Sequence, residues 1–134
     1  MKKHTLAVTV ENRPGVLTRV TTMFRRRGYN IESLAVGATE NPAISRITIE
    51  VAGDDRIIEQ VTKQLYKLVE VIKINDLTDA RSVDRELVLI KVKADNSVRA
   101  EIVQIVDIFR ARIVDIGRDS LIIEVTGDSR KIEA

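Results

Sequence analysis

The hydrophobic pattern of residues 4–76 alternates between a period of two and helical spacing, in an order that few folds accept. Alternation over 5–11 predicts a strand, the apolar residues of 16–24 recur at helical spacing, and segments 31–36 and 47–51 read as two further strands. A helical segment over 57–68 and a β-branched run over 69–74 complete the unit. The order strand, helix, strand, strand, helix, strand predicts an α+β, ferredoxin-like (βαββαβ) plan.

Turn and cap residues mark the limits of these elements. Pro14 suits the first position of the first helix, because its missing N–H would have no partner there. Gly28 suits the stop of that helix, where a left-handed backbone is common. Asn41-Pro42 indicates a turn between the second and third strands, and Asp54 follows Gly53 as a cap for the second helix.

A second unit follows a polar, aperiodic stretch. We assign residues 1–76 to the first domain, 77–84 to a linker and 85–134 to a second ferredoxin-like domain that is incomplete at its C-terminal end. Ser97 is the predicted cap of a helix over 98–109, and strands are predicted over 113–116 and 121–125. Residues 123–132 match residues 49–58 at seven of ten positions, so the second unit is expected to stop one to two turns into its second helix.

The composition excludes several functional classes. The chain has no Cys, so it can form neither a disulfide nor a thiolate metal site nor a thiol nucleophile. No apolar run approaches the roughly 18 residues of a membrane span. We therefore predict a cytoplasmic protein that does not interact with membranes.

The loop from Glu11 to Val16 is the strongest candidate for a binding site. It joins a strand end to a helix start, where backbone N–H groups without acceptors and the helix dipole favour a carboxylate. Gly15 has no side chain to block the approach, and the Asn12 amide could hold an ammonium group or a carboxylate. The alternative is purely structural: Pro14 and Gly15 start the helix and Asn12 caps it.

Other candidates for chemistry are weaker. His4 is expected to be a solvated terminal residue, and no phosphate loop, nucleophile elbow or metal-ligand spacing occurs, so we predict neither a catalytic residue nor a metal site. Arg25, Arg26 and Arg27 could contact phosphates, but we prefer the interpretation that they are cations placed at a helix C-terminus. The predicted strands offer only aliphatic side chains for base stacking, so an RNA-binding module remains a second choice and no nucleic acid partner is expected.

Several sequence blocks carry a family resemblance. They are Glu11-Asn12-Arg13-Pro14-Gly15-Val16-Leu17, Phe24, Arg27-Gly28-Tyr29-Asn30-Ile31-Glu32-Ser33-Leu34 and Ser45-Arg46. Across nearly its whole length the chain resembles the small regulatory subunit of acetolactate synthase (acetohydroxyacid synthase), whose N-terminal domain is an ACT domain, an amino-acid-sensing module. The Pro-Gly-Val helix start alone would indicate only an ACT domain of some regulated enzyme, which remains the alternative.

The resemblance implies a ligand, a set of site residues and partners. Asn12 and the backbone of Gly15 and Val16 would hold the ligand, usually valine, and Asn30 and Ile31 of a second copy would close the site. The family's subunit forms a homodimer through its ACT domain, has no chemistry or cofactor of its own and activates a large catalytic subunit. Thiamine diphosphate, Mg and FAD are expected in that catalytic partner. Valine binding would then provide feedback inhibition in branched-chain amino-acid biosynthesis.

Overall fold

A computed structural model describes residues 2–79 and 81–134, which fall into two compact units, with the division in the chain between Ser82 and Val83. Met1, and Ala80 of the predicted linker, lie outside the described residues. The first unit has four strands and two helices: β1 (Lys3–Glu11), α1 (Val16–Arg27), β2 (Ile31–Ala38), β3 (Ile44–Ala52), α2 (Asp55–Tyr66) and β4 (Val71–Asp76). Their order is the predicted ferredoxin-like one.

The four strands form one antiparallel sheet in the order β2-β3-β1-β4. The alternating residues predicted to share a face, Leu6, Val8 and Val10, are all buried. Helices α1 and α2 add Val20, Phe24, Val61 and Leu65 to the same core. The apolar residues that recur with a period of two in β1 and at helical spacing in α1 and α2 therefore pack together in one core layer.

Strand β2 is an edge strand whose side chains are largely exposed. Only Ile31 is half-buried, and every later position of the strand is exposed. Leu34 and Val36 pair with Ile49 and Ile47 of the core, so they lie on the same face of the sheet as the core does. An apolar strip thus continues from the core to the free edge of the sheet.

The first helix begins two residues later than predicted. Pro14 does not occupy its first position, because Pro14 and Gly15 are the central residues of a turn that precedes Val16. The prediction for Gly28 is confirmed: it has φ 71°, and the Gly28 and Tyr29 N–H groups donate to Arg25 O and Phe24 O.

The second unit has three strands and two helices: β5 (Glu86–Lys93), α3 (Arg99–Ile108), β6 (Arg112–Ile116), β7 (Ser120–Gly127) and α4 (Ser129–Glu133). The sheet order is β5-β7-β6, and all pairs are antiparallel. The repeated letters correspond to repeated structure. Asp54 accepts a hydrogen bond from Ile57 N at 2.9 Å, and Asp128 accepts one from Lys131 N at 3.0 Å, so both cap a helix after a strand.

Ser97 does not cap α3, contrary to the prediction. The helix starts after Val98 and has no side-chain cap. The Ser97 hydroxyl and N–H both donate to the Asp95 carboxylate, and these bonds hold the pKa of Asp95 below its usual value. When an aspartate lies two residues before a serine, the serine can bond to that carboxylate in a local turn, and it is then not available to cap a helix.

The start of the predicted linker belongs to the first unit. Leu77 N donates to Thr5 O at 2.8 Å, and Thr5 N donates to the Thr78 hydroxyl at 3.1 Å. These bonds extend the β1–β4 ladder beyond Asp76, so the polar composition of 77–78 does not reflect a free segment.

Candidate functional site

The turn after β1 places a left-handed glycine at the start of α1. Gly15 has φ 84° and ψ −8°, a conformation that costs an L-residue roughly 1–2 kcal/mol. A Cβ built at Gly15 meets no atom within 4 Å. Inside one copy of the chain, glycine is therefore required by the backbone conformation, while the space in front of it stays open.

The N-terminus of α1 presents backbone donors without acceptors in the part of the chain that the structure describes. The first helical bond runs from Arg19 N to Gly15 O, and the N–H groups of Gly15, Leu17 and Thr18 have no acceptor. No side chain caps the helix and its first turn holds no acidic residue. Donors of this kind at the positive end of a helix suit an anionic group such as a carboxylate.

Asn12 is not the helix cap that the structural alternative required. Its backbone N–H donates to Ala43 O at 2.8 Å, and its side-chain Nδ2 donates to Pro42 O at 3.0 Å. Asn12 therefore joins the end of β1 to the turn between β2 and β3. Along the chain it directly precedes the Arg13–Val16 turn.

Val16 contributes only its backbone to this loop. Its side chain is buried in the core of the first unit. Its N–H makes a long, 3.4 Å contact to Arg13 O.

Asn30 and Ile31 lie at the other end of the sheet. Ile31 pairs with Val51, which pairs with His4, whereas Asn12 follows Glu11 at the far end of β1. His4 and Glu11 are seven positions apart on β1, which corresponds to about 23 Å along a strand. A single copy of the chain thus holds Asn12, Gly15 and Val16 at one end of the sheet and Asn30 and Ile31 at the other.

A buried carboxylate lies beside the Gly15 loop, and the sequence patterns did not reveal it. Glu70 is 4% exposed and lines a cavity of about 470 Å³ together with Arg13, Gly15, Val16 and Arg19. Arg19 Nη1 pairs with Glu70 Oε1, and Arg13 Nη2 lies 3.8 Å from that oxygen. The available signal was a lone charge inside the apolar run from Leu68 to Ile72.

Two further predictions about charged residues have different outcomes. Arg25, Arg26 and Arg27 occupy the last turn of α1, where cations favour the helix dipole, and Arg27 donates to Gln64 Oε1 at 2.9 Å. His4 is not a solvated terminal residue. It is 3% exposed within β1, and its Nδ1 lies 3.3 Å from the Thr78 hydroxyl.

The surroundings of His4 also perturb a carboxylate. Partial burial alone would raise the pKa of Asp76. The hydrogen bonds from the Thr78 hydroxyl and N–H, together with the charges of His4 and Lys2, outweigh burial and hold that pKa below its usual value. This group closes the end of the sheet opposite to the Gly15 loop.

Within residues 2–79 and 81–134, no three His, Asp or Glu side chains are grouped so that they could hold a metal ion. None of the helices in this part of the chain is long and apolar enough to span a membrane.

Comparison with known proteins gives a consistent family assignment for both units. Residues 6–73 match the family described as AHAS small subunit-like ACT domain, and residues 85–134 match the family described as small subunit of acetolactate synthase. A probable acetolactate synthase small subunit from Archaeoglobus fulgidus is 61% identical over 132 residues, which cover 98% of this chain and 82% of that protein. The acetolactate synthase small subunit of Mycobacterium avium is 56% identical and covers 98% of this chain and 78% of its own length.

A solved structure agrees with the sequence comparisons. The crystal structure of the acetolactate synthase small subunit from Thermotoga maritima superposes with a TM-score of 0.92 at 46% identity, covering 99% of this chain and 83% of that one. The resemblance seen in the sequence blocks is thereby confirmed. With both units matched and the fold shared, the chain belongs to the family of acetolactate synthase small subunits, the regulatory rather than the catalytic subunits of that enzyme.

Proposed function

We propose that two copies of this chain bind valine between their first units, and that this binding regulates a separate catalytic subunit. Asn12 and the backbone of Gly15 and Val16 of one copy hold the amino acid, and Asn30 and Ile31 of the other copy close the site. Without valine the chain raises the activity of its catalytic partner, and valine lowers it.

The observation that carries this proposal is the separation of the two sets of site residues. Asn30 precedes β2 and Ile31 begins it. The last residue of β2, Ala38, pairs with Ser45 of β3, and Ser45 in turn pairs with Val10 near the end of β1. The end of β2 therefore lies at the same end of the sheet as Asn12. If the β2 edges of two copies pair antiparallel about a two-fold axis, the start of one β2 comes beside the end of the other. That arrangement brings Asn30 and Ile31 to the partner's Gly15 loop.

The edge of the sheet supports the same arrangement. Leu34 is 38% exposed and Val36 is 48% exposed, both on the face that carries the core. An unpaired strand with an apolar face is a template for pairing with another chain. Covering this strip with a second copy removes apolar surface from water and satisfies the edge of β2.

Regulation then requires that valine prefer one arrangement of the dimer. A ligand shared by two copies contacts both, so its affinity depends directly on how they are placed. A preference worth ~1 to 3 kcal/mol is typical of allosteric coupling. The thiamine diphosphate, Mg and FAD needed for the reaction belong to the catalytic subunit, and the complex is expected in the cytoplasm.

Mixing two inactive variants tests the shared site directly. Asn12→Ala and Asn30→Ala should each abolish valine binding in isothermal titration of the purified variant. After subunit exchange, half of the dimers are mixed, and each mixed dimer has one site with both asparagines intact. A two-fold interface therefore predicts that about a quarter of the sites bind valine again. Mixing Asn12→Ala with itself provides the control.

Two outcomes would contradict the proposal. If both variants bind valine normally, the site is misplaced. If neither binds and the mixture recovers nothing although subunit exchange is demonstrated, the site is not shared. The activity of the co-purified catalytic subunit is then measured with and without valine. Inhibition by valine supports this function, and no effect on that activity supports an ACT module of another enzyme.

A further inference from the structure

The buried carboxylate of Glu70 has an unused hydrogen-bonding atom beside the proposed binding loop. Glu70 Oε1 is paired with Arg19, but Oε2 is buried and has no hydrogen-bond partner among the described residues. A buried acceptor of this kind costs free energy, more so when it is charged. Such an atom in a folded protein calls for a partner that the isolated chain does not supply.

Glu70 is held in place by the backbone as well as by Arg19. Glu11 N donates to Glu70 O at 2.9 Å, so Glu70 sits next to the end of β1 just before the Gly15 loop begins. Glu70, Gly15 and Val16 line the same cavity. The cavity is therefore lined both by residues of the loop with open amides and by a residue with a carboxylate.

We infer that Glu70 recognises the ammonium group of the ligand, so that the site selects amino acids over the 2-oxo acids with the same side chain. An amino acid carries a carboxylate and an ammonium group, and these match the helix N-terminus and Glu70. A 2-oxo acid carries only the carboxylate and meets Glu70 as a like charge. This inference rests on the proposed function, since the cavity shares Gly15 and Val16 with the proposed site.

The balance of charges around the cavity supports this selectivity. Arg13 and Arg19 are countered by Glu11 and Glu70, with Arg13 Nη2 at 2.7 Å from Glu11 Oε2. The four side chains sum to zero, so they give no net attraction to an anion. A neutral zwitterion with separated charges fits such surroundings better than a monoanion does.

A series of three probes separates the two charges of the ligand. L-Valine has both, 3-methyl-2-oxobutanoate has only the carboxylate, and L-valinamide has only the ammonium group. For the unmodified protein, titration calorimetry should give an affinity for L-valine at least about tenfold above that for either of the others, the factor expected for a charge-assisted hydrogen bond.

Glu70→Gln should change this order. The variant should lose at least about tenfold in L-valine affinity and keep or gain affinity for the 2-oxo acid, because the like charge is removed. Glu11→Gln is the matched control: it removes a carboxylate that also pairs with Arg13 but does not line the cavity. Both variants remove one negative charge, so the ratio of L-valine to 2-oxo acid affinity should change much less in Glu11→Gln than in Glu70→Gln, where the lost carboxylate also lines the cavity.

The outcomes distinguish this inference from the proposed function. If the unmodified protein binds L-valine but Glu70→Gln keeps the same affinity ratio, the role of Glu70 is wrong and the proposed function stands. If the unmodified protein binds no L-valine, both are wrong.

A measurement on the unmodified protein applies even if Glu70→Gln does not fold. The ¹³C signal of the Glu70 carboxyl should shift with L-valine and L-valinamide but not with the 2-oxo acid. Equal shifts with all three probes, or none with any, would overturn the inference.

Discussion

Gly15 combines two properties that are usually separate. Its φ of 84° demands a residue that tolerates the left-handed region, and the space in front of its Cα is open. Conformation and access therefore impose independent requirements on this residue. They can be separated experimentally, because Asn tolerates the same conformation and differs from Asp mainly in charge.

Gly15→Asp should make the holoenzyme resistant to valine. The new carboxylate would lie where we propose that the ligand's carboxylate docks, and like charges at short range in a partly enclosed site repel strongly. Gly15→Asn adds the same bulk without the charge. We expect half-inhibition of the Gly15→Asp holoenzyme to need at least about ten times as much valine as half-inhibition of the Gly15→Asn holoenzyme. Equal inhibition of both variants and the unmodified holoenzyme would place the site elsewhere.

The helices α1 and α3 end in the same hydrogen-bonding pattern with different residues. In α1, Gly28 N and Tyr29 N bond to Arg25 O and Phe24 O; in α3, Arg110 N and Ala111 N bond to Asp107 O and Val106 O. Arg110 has φ 54° and is the only non-glycine residue with positive φ in the described parts of the chain. The two units therefore stop a helix in the same way, but the second does so with a strained residue.

Exchanging the residue type at these two positions should have opposite effects. Gly28→Ala should lower the free energy of unfolding by about 1 kcal/mol, because an L side chain is forced into the left-handed region. Arg110→Gly should relieve that strain and leave stability unchanged or raised by up to about 1 kcal/mol, since glycine also loses more chain entropy. Urea unfolding followed by circular dichroism measures both. A destabilising Arg110→Gly would mean that the arginine side chain stabilises the helix end.

At the scale of the whole molecule, the first unit exposes apolar side chains at the unpaired edge of its sheet. The β2 edge carries Leu34 and Val36 on the core face of the sheet. The second unit also exposes apolar side chains: Leu87 and Leu89 of β5 are each more than half exposed. Each unit thus has sheet surface that its own helices do not cover.

Val36→Lys tests the dimer through the β2 edge. Val36 is half-exposed in one copy, so the change should leave the first unit folded while it places a charge in the proposed interface. We expect light scattering after size exclusion to show a monomer at concentrations where the unmodified protein is a dimer, and valine binding to weaken. Ala35→Lys, on the opposite face of the same strand, is the control. A dimeric Val36→Lys protein with normal valine binding would rule out this edge.

Most of the fold could be predicted because it depends on periodicity. The alternation of Leu6, Val8 and Val10 is a local property, and burying these residues needs only some apolar layer above the sheet. The Gly28 stop and the Asp54 cap are equally local, since the groups that they satisfy lie within four residues. The loop was located for the same reason: a strand end followed by Pro14-Gly15 places open amides there whatever surrounds it.

Apart from the start of α1, the errors concern polar groups whose partners are distant in sequence or in competition. His4 was expected in solvent, but it is buried and its Nδ1 lies beside Thr78, which is 74 positions away. Ser97 could cap a helix or bond to Asp95, and the nearer carboxylate took its hydroxyl. Asn12 could cap α1 but bonds to Pro42 instead.

The sequence by itself determined the order of strands and helices, the Gly28 stop, the Asp54 cap, the family and the position of the loop with open amides. Only the tertiary structure decided that Glu70 lies beside that loop, paired with an arginine 51 positions away, and that Asn12 and Asn30 lie at opposite ends of one sheet. The physical reason is that backbone conformation and periodic burial act over a few residues. The partner of a charged or polar group is set by which strands become neighbours, and that is a property of the whole fold.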